Sequence, residues 1–121
     1  MNLLKIELSE IFDNWRDKFD HDEWYFNKSF ELISNGMSPD EAFDYIPNVI
    51  EVIFSLEDDL LIWYTLYFLI SLYSIAKTTE IHNELIKNWT TLDKHISNFK
   101  DSYSTPFQEL KRTLRIRKIE T

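Results

Sequence analysis

A chain of 121 residues with 44% apolar and 16% aromatic side chains has enough material for one domain with a sizeable core, which argues against disorder despite a net charge of −8. One Gly and three Pro are too few for the tight turns of a β-rich domain, and the single Gly36 cannot build a phosphate-binding loop. Cys is absent, which excludes disulfides, thiolate metal sites and a thiol nucleophile.

The N-terminal stretch is interrupted by Glu7 and Glu10, so it lacks the apolar centre of a signal peptide, and a cytoplasmic location is expected. Leu4, Leu8, Ile11, Phe12, Trp15 and Phe19 recur at helical spacing and predict one amphipathic helix. Glu7, Glu10, Asp13, Asp17 and Asp20 fall on its opposite side. A second helix is expected over 22–34, with Phe26, Phe30 and Ile33 inward and Trp24 off that stripe; Asn35-Gly36 ends it. Ser38-Pro39-Asp40-Glu41 reads as a capping box with Pro at the first helical position. The short helix that follows carries Ala42, Phe43 and Ile46 and is expected to stop near Pro47, with Asn48 capping another short segment. Residues 49–54 suit a strand on propensity alone, but no second strand is evident to pair with them, so helix is favoured.

Residues 60–76 are the most apolar stretch and sit at the lower length limit for crossing a bilayer. Glu57, Tyr64, Tyr67, Ser71 and Ser74 line one side of it, which favours the central helix of a water-exposed bundle over a membrane span. Thr78 or Thr79 is the expected cap of the next helix. There Ile81, Leu85, Trp89, Leu92, Ile96 and Phe99 keep a regular stripe with a break near Thr90-Thr91. A polar turn at 100–104 leads to a second capping box, Thr105-Pro106-Phe107-Gln108. The last helix ends in Lys111, Arg112, Arg115, Arg117 and Lys118. The pattern as a whole predicts an all-α single domain over 1–121: five to seven mostly antiparallel helices, in a bundle or a HEAT-like stack.

Catalytic patterns are missing. His21, His82 and His95 have no metal-ligand spacing and read as partly exposed surface residues; no calcium-loop pattern occurs, and neither a metal nor another cofactor is expected. The carboxylates lie in hydrophilic runs such as 20–23 and 57–59, where a group keeps its ordinary pKa and makes a poor general acid. No Ser sits on a Gly-flanked nucleophile turn, so the chain does not read as an enzyme.

Charge is divided unevenly. Residues 1–60 hold fifteen Asp/Glu against four Lys/Arg, a net of −11, whereas residues 61–121 hold six against nine, a net of +3. An acidic exterior repels nucleic acid and draws basic proteins. The candidate partner-binding residues are Glu10, Asp13, Asp17, Asp20, Asp22 and Glu23, followed by Glu57, Asp58 and Asp59. Trp24, Tyr25, Tyr64 and Tyr67 are the aromatic candidates beside them, and Asp40 and Asp44 are further acids.

In length, Asn/Lys/Ile-rich composition, an acid-rich first half and the absence of a catalytic motif, the chain resembles the small acidic helical immunity proteins of bacterial polymorphic-toxin and contact-dependent growth-inhibition systems. Residues 48–81, NVIEVIFSLEDDLLIWYTLYFLISLYSIAKTTEI, carry the likeness most clearly. The resemblance implies a cytoplasmic inhibitor that occludes a basic toxin, often a nuclease. The basic C-terminal run departs from a uniformly acidic pattern. The alternative reading is a helical interaction or regulatory module without a toxin partner.

Overall fold

The computed structural model describes Leu8 and residues 10–116. Among these the helices are α1 (Trp15–His21), α2 (Tyr25–Ser34), α3 (Pro39–Ser55), α4 (Asp59–Ala76), α5 (Asn83–Ile96), α6 (Lys100–Ser104) and α7 (Pro106–Thr113). No strand occurs among the described residues, so the protein is all-helical and the apolar run at 49–54 is helix. The chain divides into two compact units, Met1–Gly36 and Met37–Thr121.

The first unit corrects the expectation of one long N-terminal helix. Glu10 and Ile11 are helical, residues 12–14 form a turn, and α1 restarts at Trp15. Asn14 takes the left-handed conformation at φ 52°, a geometry that Asn tolerates better than most side chains. The break allows aromatic residues from both sides of the turn to converge on buried Phe26. Its ring centroid lies 6.4 Å from Phe12, 5.9 Å from Trp15 and 5.6 Å from Phe19. Leu4 and Glu7 lie outside the described residues. The second helix starts at Tyr25, three residues later than expected, because Asp22 closes α1 and then accepts the N–H of Trp24 at 3.0 Å. Gly36 ends the unit at φ 83°, as the Asn-Gly pair predicts.

In the second unit the Ser38 capping box forms on both sides: the Ser38 hydroxyl accepts the Glu41 N–H at 3.1 Å, and Glu41 accepts the Ser38 N–H at 3.0 Å. The expected stop at Pro47 does not occur. Pro47 cannot donate to the Phe43 carbonyl and its ring crowds that turn, a local cost of about 3 kcal/mol. Tyr45, Ile46, Val49, Ile50 and Ile53 are all buried along one stripe, and burial contributes roughly 1.5–3 kcal/mol for each large aliphatic side chain. Packing outweighs the missing hydrogen bond, and α3 runs through.

The connection 56–58 then turns the chain into α4, which is the hub of this unit and contacts α3, α6 and α7. Asp58 caps α4 by accepting the N–H groups of Leu60 and Leu61 at 2.9 and 3.3 Å. By length and composition α4 is apolar enough to cross a membrane, yet half of its residues are buried inside the fold. Glu57, Ser71 and Ser74 stay exposed, and Tyr64 and Tyr67 are half-buried, so the weakly polar stripe is where the sequence placed it.

Four details of the C-terminal region differ from expectation. His82, not a Thr, caps α5: its Nδ1 accepts the Glu84 N–H at 3.0 Å, and Thr78 instead accepts the N–H of Glu80. No break occurs at Thr90-Thr91, because Leu85, Trp89, Leu92 and Ile96 bury a continuous stripe. Residues 100–104 are helix, not turn. The Thr105 box does not form, since Gln108 reaches back to the Tyr103 carbonyl at 3.0 Å. His95 is partly exposed, as expected, but it also has a role in the fold. Its ring is half-buried between Phe54 and Phe99, and Nε2–H donates to the Ile53 and Leu56 carbonyls at 3.1 and 3.0 Å. Those carbonyls lie at the end of α3, where intrahelical donors run out.

α7 ends at Thr113, before most of the basic run. The Arg115 N–H bonds the Arg112 carbonyl and the Ile116 N–H bonds the Lys111 carbonyl, with Arg115 left-handed at φ 57°. This is a Schellman stop with Arg at the place Gly favours. Arg117 and Lys118 lie outside the described residues. Lys77 closes α4 in the same left-handed conformation, at φ 56°. Lys77→Gly is therefore expected to stabilise the protein by about 0.5–1 kcal/mol, the relief of backbone strain less the greater entropy of Gly when unfolded. Urea denaturation reads the change directly, and an unaltered or lower midpoint speaks against strain at this position.

Candidate interaction surface

Solvation decides where the early carboxylates go. In the first unit Glu10, Asp13, Asp17, Asp20 and Glu23 are exposed. Asp22 is half-buried and pairs with Lys28 at 2.8 Å; that hydrogen bond, aided by the Trp24 N–H, holds its carboxyl below the usual carboxylate range. Asp17 lies 3.8 Å from His21, whose Nδ1 sits 2.7 Å from the Asp17 carbonyl. Trp24 is 58% exposed beside Asp22 and Glu23, as its place off the apolar stripe predicts. Leu32, at 76% exposure, adds an apolar side chain that the sequence reading did not single out.

Tyr25 has a structural role that sequence reasoning missed. Its hydroxyl donates to the Ile11 carbonyl at 2.7 Å, and its ring is half-buried against Phe26 under the Lys18 ammonium, 5.7 Å away. The bond ties the start of α2 to the segment before the 12–14 turn. Fourteen positions separate the two residues, so no local sequence pattern signals the contact.

In the second unit the acidic corner divides by role. Glu57 is exposed, Asp58 is the α4 cap, and Asp59 is drawn into the structure. Asp59 accepts the Asp101 N–H at 3.1 Å and the Ser102 N–H at 2.8 Å, and the Ser102 hydroxyl lies 2.5 Å from the same carboxylate. The first N–H groups of α6 have no partner within that short helix, so a carboxylate from α4 serves as their cap. Burial works upward on the Asp59 carboxyl, but the bonds from Ser102 and Asp101 outweigh it and hold the group below the usual range. Tyr67 also points inward in function: burial first, then a hydrogen bond to the Glu109 carboxylate, push its hydroxyl upward.

Between Lys28 and Lys77 the sequence contains no Lys, Arg or His, yet residues 29–76 carry eight Asp/Glu. On α3, Asp40, Asp44 and Glu51 are exposed at helical spacing opposite the buried stripe. The signal lay in the missing cations more than in any acidic run. Among the described residues no group of three or more His, Cys, Asp or Glu has an arrangement that fits a metal ion. Compared with family models, with curated proteins and with solved structures, the chain finds no match.

Proposed function

We propose that this protein is an inhibitor of the immunity type, which binds a basic toxin and blocks it by covering its active or substrate-binding face. The observation that carries the reading is the surface charge. Glu10, Asp13, Asp17, Asp20 and Glu23 stand exposed within one short stretch of the first unit, beside an exposed Trp24. The second unit adds α3, whose solvent side carries acids in a stretch without cations. A nuclease is positively charged where it grips phosphate, and a negative protein is complementary to that face. Trp is a frequent anchor in such interfaces because it combines large contact area with few rotatable bonds. The protein acts in the cytoplasm by occlusion, with no chemistry of its own.

Co-expression with toxin candidates sought among the proteins of adjacent genes tests the reading. Growth restored by this chain, and lost again without it, is the expected result; a folded chain that gives no protection contradicts it. Within that complex, the double reversal Asp13→Lys with Asp17→Lys is expected to slow association about tenfold at low salt while leaving the fold intact. Stopped-flow mixing measures the rate, and unchanged kinetics remove this stretch from the interface.

A further inference from the structure

Where α4 begins, a groove of about 560 Å³ is lined by Asp59, Leu60, Trp63, Asp101 and Thr105. Its lining combines an indole and an exposed leucine with two aspartates. Trp63 is half-buried and braced by Tyr67, with ring centroids 5.7 Å apart, so its ring is held in place. Asp59 is fixed by the N–H groups of Asp101 and Ser102, while the Asp101 side chain stands exposed. Aromatic surface alone attracts any apolar group and carboxylates alone attract any cation. Their combination suits a cation with a flat face.

We infer that this groove receives an arginine side chain of the basic partner, its guanidinium laid against Trp63 and hydrogen-bonded to Asp101. The planar guanidinium stacks on an indole and bonds a carboxylate in the same pose, which a lysine ammonium does not. Asp59 adds negative charge to the lining without moving, because its bonds to α6 hold it. That the arginine belongs to a basic protein rests on the function proposed above; the groove's preference for arginine does not.

Titration of the ¹⁵N-labelled full chain with a short neutral peptide bearing one arginine tests the groove alone. The Trp63 indole N–H and the amides around Asp59 and Asp101 are expected to shift progressively at millimolar peptide. The same peptide with citrulline, which keeps the shape and loses the charge, is expected to leave them in place. Trp63→Leu and Asp101→Asn should each weaken the response roughly twofold to fivefold. Asp101→Asn changes only an exposed side chain, and the backbone N–H that Asp59 accepts is retained. Equal shifts with arginine and citrulline, no shift at these resonances, or an unaltered response in Asp101→Asn overturns the inference. Failure of toxin protection with a normal arginine response would discard the proposed function and keep the groove.

Discussion

Replacing Phe107 with alanine is expected to lower the unfolding free energy by about 3–5 kcal/mol, the largest effect of any substitution considered. Phe107 is fully buried at the second position of α7. Its ring stacks on Trp89 of α5 at 5.0 Å and on Tyr103 of α6 at 5.5 Å, so one side chain joins three helices. Truncation removes its buried area and leaves a cavity that three separate helices cannot all close. Phe107→Leu, which keeps most of the volume, should cost about half as much. Chemical denaturation distinguishes the two, and a loss under about 1.5 kcal/mol for the alanine variant shows that the site collapses more readily than this packing implies.

The second large effect belongs to Asp59. Asp59→Ala leaves the Asp101 and Ser102 N–H groups without their carboxylate, while the hydroxyl of wholly buried Ser102 keeps only the Asp59 backbone carbonyl, at 2.7 Å. A loss of about 1–3 kcal/mol is expected, toward the lower end because the carboxylate is partly open to water. The effect depends on pH. Hydrogen bonds hold the folded carboxyl below its unfolded value, so the ionised form binds α6 better than the protonated form. The contribution is therefore complete above about pH 4, where an unfolded aspartate is ionised, and fades as pH falls through the lower folded value. The gap in stability between the native protein and Asp59→Asn should narrow on acidification across that window. A gap that is flat from neutral pH down to pH 2 means that the charge of Asp59 does not hold α6.

The elements that could be read from the sequence are those governed by neighbours three or four positions apart. The Ser38–Glu41 box, the Gly36 stop and the buried stripes of α3 and α5 all fall in this class. The structure departs from the local pattern where packing, a distant group or a competing bond decided the outcome. Pro47 stays inside α3 because packing of Val49, Ile50 and Ile53 exceeds a local penalty. Asp59 looked like one more solvated acid until Ser102, 43 residues away, supplied its donors. Thr105 had the letters of a capping box, but Gln108 found a carbonyl on Tyr103 instead.

The same division runs through the candidate surface. Glu10, Asp13, Asp17, Asp20, Glu23 and Trp24 lie exposed, because hydration fixes the position of isolated charges whatever the fold around them. Tyr25, Asp59 and Tyr67 have fold-stabilising hydrogen bonds that no local pattern reveals. Trp63, hidden in the most apolar stretch of the chain, lines a groove only because the fold brings Asp101 beside it.

The measurement closest to the core of the proposal is the rate at which this protein associates with its basic partner as salt is raised. If opposed charge draws the two together, the rate should fall by at least tenfold between 50 and 500 mM salt, a range over which exposed charges become strongly screened, while dissociation changes little. A rate indifferent to ionic strength contradicts an electrostatic role for the carboxylates.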